Sequence, residues 1–312
     1  MSQPLILMYH RVADDPVDYW KLAVSPAHFE EQLSVLRRSY HPLPLVEFVD
    51  RLVAGTLPPN AVALTFDDGY VDNLTAALPR LEAADVPATV FIATGFIDQP
   101  EPFWWDELAN LILCASGAER FELLLDDKVI SVDLPPDADT DGPAAPPQLQ
   151  HKRAAALEAI YQPIRRQSVA GRLSTMAKLR AVFGIHNDPA SLGRPMTSGE
   201  IQALVKSGLI AIGGHSVTHP ILPELQSRLR QQEMIESKRR CEAIVAAPIA
   251  AFAYPFGEYN AAICEETRDA GFSFACSTGR GSTISASDLF ALRRTFVTDL
   301  DGDAFAHRLR CA

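Results

Sequence analysis

The stretch AVALTFDDGY, from Ala61 to Tyr70, decides the fold, because an apolar run typical of a buried parallel strand ends there in two aspartates and a glycine. Similar runs precede and follow it, LILMY from Leu5 to Tyr9 and ATVFIA from Ala88 to Ala93. Segments with helical spacing lie between these runs, the first of them beginning with Ser25 as N-cap and Pro26 as first helical residue. The alternation predicts an α/β protein, either a barrel or a wound sheet.

The alternation stops near Asp98 and resumes near Thr197, which has the spacing of a capping box with Glu200. The interval contains the acidic, proline-rich stretch LPPDADTDGPAAPP, from Leu134 to Pro147, which suits no packed element. We therefore predict an insertion that interrupts one α/β domain. The expected parts are a first domain segment over residues 1–98, a mainly helical insertion or cap subdomain over 99–195 with a strand pair near 121–134, and a second domain segment over 196–312.

The composition excludes two classes of function. The chain has 312 residues, of which 47% are hydrophobic and 21% charged, as in an ordinary globular enzyme. No run approaches the roughly 20 apolar residues that a transmembrane helix needs. The formal net charge of −11 repels nucleic acids. We therefore expect no transmembrane segment and no nucleic-acid partner, while the oligomeric state stays open.

The cysteines and the first residues indicate the compartment. Five scattered cysteines without a CxxC pair predict reduced thiols rather than disulfides or a zinc cluster. The start MSQPLILMYHRV lacks a basic leader, and its apolar run is too short for a signal peptide. A cytoplasmic location is the resulting expectation.

The aspartates of TFDDGY are the first candidate site. Asp67 and Asp68 follow a buried strand at the edge where α/β enzymes place their active sites, and Gly69 permits a tight turn. The alternative is a strand-to-helix turn in which Asp68 or Asp72 acts as a solvated cap. A second motif is needed to decide between the two interpretations.

The motif GHSVTHP supplies that second motif. His215 and His219 stand four residues apart after another apolar strand, so that one helical turn would place both imidazoles on the same side. Two histidines and a remote carboxylate can hold a catalytic metal with open positions for water and substrate. Two surface histidines in a loop are the alternative for this motif alone. Two histidines and a carboxylate also hold Fe(II) in oxygenases, although the adjacent second aspartate favours hydrolysis.

The sequence resembles the polysaccharide deacetylases with a NodB homology domain, carbohydrate esterase family four. TFDDGY matches the first family motif, HSVTH the second and AYPFG, from Ala253 to Gly257, the third. The resemblance extends over Leu5 to Ala93 and Thr197 to Val297 and omits the insertion. It implies an irregular (β/α) barrel with fewer than eight strands.

The resemblance also implies a mechanism, the hydrolysis of the N-acetyl amide of an N-acetylated sugar by a metal-bound water. It makes Asp67 the general base and Asp68, His215 and His219 the ligands of a divalent metal. Zn²⁺ is the first choice, with Co²⁺, Mn²⁺ and Ni²⁺ as alternatives. A backbone N–H of the third motif, here that of Phe256, would stabilise the oxyanion. The neighbouring Tyr254 and Pro255 are further candidates for oxyanion or substrate contacts.

The chain departs from the family pattern in two places. Many members open the third motif with an arginine that holds the base aspartate, whereas this sequence has Ala253. Arg294 is the candidate replacement, because its neighbour Arg293 would point to the opposite face of a regular strand. No clear Leu-x-His motif supplies a general acid, so His10, at the end of the first strand, is the candidate.

Several interpretations stay open after these assignments. Trp104 and Trp105 could stack on sugar rings or anchor the first helix of the insertion, and adjacent helical residues cannot both face one ligand. The missing arginine and acid motif leave a non-catalytic glycan-binding member of the fold as the alternative function. The sugar, and whether it is polymeric, lipid-linked or nucleotide-linked, is not specified by the sequence.

Overall fold

The computed structural model describes residues 3–114, 120–125, 128–134, 147–184, 193–278 and 288–311. It divides into two compact units. The first comprises Met1–Asp15, Trp20–Gln99 and Pro195–Ala312, and the second Pro16–Tyr19 and Pro100–Arg194. The second unit lies within one residue of the expected insertion at both ends, and it also contains the short segment Pro16–Tyr19, which sequence analysis assigned to the main domain.

The strands, in chain order, are β1 Leu5–Tyr9, β2 Arg11–Val12, β3 Ala23–Val24, β4 His41–Pro42, β5 Ala61–Phe66, β6 Ala88–Ile92, β7 Arg120–Leu125, β8 Lys128–Asp133, β9 Ile210–Gly214, β10 Ala251–Ala253, β11 Phe274–Thr278 and β12 Leu292–Phe296. The α-helices are α1 Pro26–Ser39, α2 Leu45–Val53, α3 Leu78–Ala84, α4 Trp104–Cys114, α5 Pro147–Ile164, α6 Val169–Phe183, α7 Ser198–Lys206, α8 Ser227–Val245, α9 Ala261–Asp269 and α10 Gly302–Arg310. Shorter helical turns are Asn73–Ala77, Leu222–Glu224 and Pro255–Gly257.

Seven of the described strands form a closed parallel barrel. Its order is β1-β12-β11-β10-β9-β6-β5, and β5 pairs again with β1, with Leu5 opposite Val62 and Tyr9 opposite Phe66. The short β4 extends the sheet beside β5. The irregular (β/α) barrel with fewer than eight strands is thus confirmed. Because the strands are parallel, their carboxyl ends all lie at one rim, where barrel enzymes place their active sites.

Strand residues alternate between the barrel interior and the surrounding helices, because successive side chains of a strand point to opposite faces. Leu5, Leu7 and Tyr9 of β1 pack in the outer core with helices such as α1. Ile6 belongs to the inner core, which also holds Phe48 of α2. Two further aromatic residues of the inner core are Phe91 and Phe274. The remaining inner-core side chains are small or aliphatic: Leu45, Val49, Ala61, Ala63, Ala251, Ala253, Cys276 and Leu292. This inner core fills the barrel beneath the rim.

The second unit has its own core. The strands β7 and β8 form an antiparallel hairpin, with Phe121 opposite Val132. Trp104 stacks on Tyr161 with ring centroids 5.4 Å apart, and Trp105 stacks on Phe103 at 4.7 Å. Both tryptophans are buried at 6% exposure, and both stacking partners belong to the same unit. Most of the proline-rich stretch lies outside the described residues.

Other sequence expectations concern cysteines and membrane helices. Among the residues that the structure describes, all five cysteines are free thiols: Cys114, Cys241, Cys264, Cys276 and Cys311. No helix in the described ranges combines the length and apolar character that a membrane crossing requires.

Candidate active site

The first site residues follow β5 directly. The backbone N–H of Asp67 donates to the carbonyl of Tyr9 at 3.0 Å, which extends the pairing of the two strands to the rim. Asp68 then has a φ of 71° and Gly69 a φ of 89°, both in the left-handed region. A Cβ on Gly69 would lie 2.7 Å from the Cδ1 atom of Ile92. Glycine is therefore needed for the turn that directs the two aspartates to the rim.

The two histidines lie in a loop after β9. The N–H of His215 donates to the carbonyl of Ile92 at 3.0 Å. Ser216 and His219 have φ values of 63° and 52°, and the N–H of His219 donates to the Ser216 hydroxyl at 3.1 Å. The expected helical turn is wrong, because left-handed residues at both positions fold a tight non-helical loop. This loop still brings the imidazole centroids to 4.9 Å from each other.

Three potential metal ligands converge at this rim. The Oδ1 atom of Asp68 lies 3.6 Å from Nε2 of His215 and 3.5 Å from Nε2 of His219. All three side chains are buried. Metal–ligand bonds of about 2.1 Å at tetrahedral angles separate neighbouring donor atoms by about 3.4 Å. The two Asp68–histidine distances match this separation, and all three donor atoms lie within 4.8 Å of one another, so these residues could hold a single divalent ion.

The imidazole of His215 is oriented as a metal ligand requires. Its Nδ1 lies 2.7 Å from the carbonyl oxygen of Ala253. A carbonyl can only accept, so Nδ1 carries the proton and the Nε2 lone pair faces Asp68. Burial lowers the pKa of His215, which favours this neutral form.

The second aspartate is paired with an arginine inside the barrel. The guanidinium of Arg294 donates through Nη1 to Oδ1 of Asp67 at 2.6 Å and through Nη2 to Oδ2 at 2.7 Å. Both side chains are buried. Nη1 also donates to the Thr65 hydroxyl at 3.0 Å, and Nε to the Ser277 carbonyl at 3.4 Å. The structure thus places Arg294, the arginine expected to replace the missing one at Ala253, beside Asp67.

The arginine determines the charge state of Asp67. Burial alone would raise the pKa of the Asp67 carboxyl. The charge and hydrogen bonds of Arg294, with smaller contributions from His215 and His10, outweigh burial and hold this pKa well below its usual value. Asp67 is therefore ionised throughout the neutral range and available as a proton acceptor.

His10 lies near these groups as a neutral imidazole. Its ring is half-buried and packs edge-on against Phe296 with centroids 5.7 Å apart. Its backbone carbonyl accepts from Asn73 at 2.8 Å. Burial, reinforced by Arg294 and His215 against the opposing charge of Asp67, lowers the pKa of His10 to about 4. A general acid works best with a pKa near the working pH, so its expected acid role stays a prediction.

The third motif turns sharply beside the potential metal ligands. Phe256 has φ 58° and ψ 3°, and its ring centroid lies 4.5 Å from that of His219. Gly257 follows with a φ of 70°, where a Cβ would overlap the hydroxyl of Thr278. This turn fixes Phe256 at the rim, next to His219, one of the three potential metal ligands. Its expected oxyanion contact stays a prediction.

The other two candidates of this motif are buried. The hydroxyl of Tyr254 donates to the Phe290 carbonyl at 2.8 Å, and its ring stacks on that of Tyr259. Pro255 is also buried. These contacts give Tyr254 a packing function inside the protein, and its expected contact with substrate has no support from them.

Thr65, which no sequence motif singles out, links two parts of the site. Its hydroxyl donates to the Leu7 carbonyl at 2.7 Å and accepts from Arg294. A single hydroxyl within the apolar run AVALTF was a usable signal, because a buried polar side chain needs hydrogen-bond partners.

Comparisons with known proteins agree with this geometry. The family model described as polysaccharide deacetylase matches residues 54–114 and 177–275, a little over half of the chain. A curated Escherichia coli relative, poly-beta-1,6-N-acetyl-D-glucosamine N-deacetylase, is 32% identical over 96 residues, which cover 30% of this chain and 14% of that protein. The putative polysaccharide deacetylase YxkH of Bacillus subtilis is 25% identical over 111 residues, covering 35% of this chain and 39% of that protein.

Two solved structures show the same fold along nearly the whole chain. The Streptococcus pyogenes deacetylase PplD, in complex with acetate, has a TM-score of 0.63 at 19% identity and covers 98% of both chains. IcaB from Ammonifex degensii has a TM-score of 0.63 at 17% identity, covering 99% of this chain and 97% of that one. With the family model and the seven-stranded barrel, these findings establish that the chain belongs to the polysaccharide deacetylase family with the NodB fold.

Proposed function

We propose that this protein is a metal-dependent N-deacetylase, which hydrolyses the acetamide of an N-acetylated sugar to acetate and a free amine. One observation carries the proposal. The convergent donors of Asp68, His215 and His219 lie on the same rim as a second buried carboxylate, Asp67, which an arginine holds ionised. Hydrolysis of an amide needs both an electrophilic centre and a proton acceptor, and this rim offers the residues for both.

The residues present fit a divalent ion, as their spacing and the orientation of His215 indicate. Asp68, His215 and His219 would hold it, and when bound it would supply Lewis-acid activation of the attacking water and of the amide carbonyl. Zn²⁺ stays the first candidate, although one carboxylate and two imidazoles also accept Co²⁺, Mn²⁺ or Ni²⁺.

Asp67 would accept the proton that the attacking water loses as its oxygen bonds to the carbonyl carbon. Arg294 holds Asp67 through both carboxylate oxygens and thereby fixes the direction of its remaining lone pairs. Its positive charge also keeps Asp67 from being protonated before the water arrives. The backbone N–H of Phe256 is our candidate donor to the developing oxyanion. The carbon–nitrogen bond then breaks, and the leaving amine takes up the proton that Asp67 accepted from the water. His10, a neutral imidazole at this stage, is the candidate general acid, which would receive that proton from Asp67 and donate it to the amine.

N-acetylglucosamine in a glycan is the proposed substrate class. The support is the Escherichia coli relative, whose name specifies poly-β-1,6-N-acetyl-D-glucosamine. That match covers a small part of the relative, so the linkage and chain length of the sugar are matters for experiment. A cytoplasmic location stays a prediction from the sequence.

The test is acetate release from N-acetylglucosamine oligosaccharides of β-1,6 and β-1,4 linkage. The protein is stripped with a chelator and reloaded with Zn²⁺, Co²⁺ or Mn²⁺. We expect no acetate from the stripped protein and recovery on reloading. Failure of every loaded form on every N-acetylated sugar tested would contradict the proposal.

A substitution at Asp67 separates catalysis from metal binding. Asp67→Asn keeps the side-chain size and the three metal ligands but removes the proton acceptor, so it should retain metal and lose turnover. Asp50→Asn, which neutralises an exposed carboxylate on α2, is the matched control and should keep both. Wild-type protein that binds metal and sugar without hydrolysis would instead support the non-catalytic glycan-binding alternative.

A further inference from the structure

The loop that carries the metal-binding histidines is held from one side by backbone donors. The N–H of Thr94 donates to the Ser216 carbonyl at 3.1 Å, and the N–H of Gly95 donates to the Val217 carbonyl at 2.7 Å. A Cβ on Gly95 would lie 2.5 Å from that Val217 oxygen, so only glycine permits the approach. The loop after β6 therefore fixes two carbonyls of the histidine loop.

A single carboxylate holds the other side of the same loop. The Oε2 atom of Glu233, in α8, accepts the N–H groups of Val217 and Thr218, both at 2.8 Å. Its Oε1 atom accepts the hydroxyl of Thr218, also at 2.8 Å. Each of these three hydrogen bonds has a charged acceptor and is therefore stronger than a hydrogen bond between neutral groups. Glu233 thus binds the backbone between the two histidines.

The loop needs such restraint because its conformation is costly. Ser216 and His219 both have positive φ values, 63° and 52°, without being glycine. Such left-handed conformations are strained for residues other than glycine and persist only where the surroundings enforce them. If the loop relaxed, His219 would move relative to His215, whose Nδ1 is held independently by Ala253. These contacts to the loop from Glu233, Thr94 and Gly95 therefore hold His219 in position relative to His215.

We propose that Glu233 is a positioning residue that sets the metal affinity of the site by holding residues 216–219 in this conformation. The inference rests on the proposed function only in taking Asp68, His215 and His219 as metal ligands. Glu233 touches neither the metal donors nor a substrate position in the described contacts, and it acts through the loop backbone.

The experiment measures Zn²⁺ affinity of chelator-stripped protein by competition with a chromophoric chelator. Glu233→Ala should weaken Zn²⁺ binding about 10–100-fold, the usual effect of removing a group that orients a metal ligand. Glu233→Gln can still accept both backbone N–H groups through its amide oxygen and should recover most of the loss. Glu236→Ala is the matched control, because Glu236 lies one turn along α8 and pairs with Arg239 and Arg240 instead.

A spectroscopic measurement separates positioning from general stability. Visible absorption of the Co²⁺-loaded protein reports the ligand geometry, and we expect Glu233→Ala to alter this spectrum while Glu236→Ala leaves it unchanged. Amide hydrogen exchange of the metal-free protein should show faster exchange at Val217 and Thr218 in the alanine variant alone.

Several outcomes would overturn the inference. They are a folded Glu233→Ala protein with wild-type Zn²⁺ affinity and Co²⁺ spectrum, or a Glu233→Gln protein as weak as the alanine variant. If the alanine variant does not fold, Glu233→Asp takes its place in the Zn²⁺ measurement. Aspartate keeps the charge, but its shorter side chain cannot reach both N–H groups, so Zn²⁺ binding should again weaken. Unchanged affinity in that variant would also overturn the inference. If Zn²⁺ binding weakens in Glu233→Ala and recovers in Glu233→Gln, but the wild-type protein releases acetate from no sugar, the positioning role of Glu233 is supported and the proposed deacetylase activity is refuted.

Discussion

Replacing Arg294 by methionine tests the central ion pair of the site. Methionine keeps much of the side-chain length but removes both hydrogen bonds to Asp67, which stays buried at 3% exposure. Hydrogen bonds to charged groups contribute about 1.5–3 kcal/mol each, so two of them amount to about 3–6 kcal/mol. Breaking a buried ion pair by removing one partner costs about 3–5 kcal/mol. We therefore expect the free energy of unfolding to fall by about 3–5 kcal/mol at neutral pH.

The loss should depend on pH with a definite sign. In the wild-type protein the pKa of Asp67 is lower in the folded state than in the unfolded state, where it is about 3.9. Ionised Asp67 therefore stabilises the fold at pH values above about 3.9, and this stabilisation is lost as pH falls through the folded-state pKa. Without Arg294, burial raises the folded-state pKa above the unfolded value. The ionised carboxylate then destabilises the variant, which regains stability as pH falls through the raised pKa. The difference between the two proteins should shrink on acidification.

The assay is urea unfolding of the metal-free protein at about pH 7 and about pH 5, analysed by linear extrapolation. Arg293→Met is the matched control, because Arg293 is the preceding residue of the same strand and is exposed. Surface changes of this kind usually stay within about 0.5 kcal/mol. If Arg294→Met lost less than about 1 kcal/mol relative to Arg293→Met at neutral pH, the reasoning would be refuted. An unchanged difference at the lower pH would refute the assigned pKa directions.

Three further predictions concern residues that stabilise one or the other of the two units. Gly257→Ala should destabilise the protein in thermal unfolding by more than about 2 kcal/mol, because the alanine Cβ would overlap Thr278. The control Gly208→Ala, with a similar φ of 75° but open space around it, should cost about 1 kcal/mol. Equal losses in the two variants would contradict the overlap. Thr197→Ala should cost about 1 kcal/mol in urea unfolding, because Thr197 and Glu200 form a full capping box at the start of α7, and no loss would contradict that cap. Arg180→Met should lower the free energy of unfolding in urea by about 2–4 kcal/mol, because it removes the bidentate partner of Glu107, which is 2% exposed. The control Arg166→Met, at an exposed position, should change this free energy little. A similar loss in both variants would argue against the buried pair.

The convergence of Asp68, His215 and His219 could be predicted from sequence because each lies in a motif at the carboxyl end of a parallel strand. Asp68 comes after β5 and His215 after β9, and the parallel barrel gathers both ends at one rim. The spacing of His215 and His219 correctly brought two imidazoles together but predicted the wrong backbone, since spacing alone does not distinguish a helical turn from a loop with left-handed residues. Those φ values depend on contacts from Thr94, Gly95 and Glu233, which are remote in sequence.

Residues that support the site from other elements were harder to predict. Glu233 lies in the middle of a charged helical segment, where a glutamate is ordinarily solvated, and its loop partners become neighbours only when α8 packs on β9. The segment Pro16–Tyr19 reads as an ordinary loop after the first strand, and nothing in its composition indicates that it clusters with the second unit. Long-range packing determines both cases, and local pattern does not encode it.

Arg294 shows how a physical requirement can identify a residue that motif matching omits. The family model matches no residue beyond 275, so it contains no information on β12. A buried aspartate nevertheless needs a cation, and the cation must lie on the interior face of some barrel strand. Ala253, Cys276 and Leu292 are in register across three neighbouring strands and all belong to the inner core, so a residue two positions after Leu292 points inward as well. Because the strands of a closed barrel share one interior, an arginine on β12 can reach Asp67 as well as one on β10, where the family resemblance implies that many members carry it.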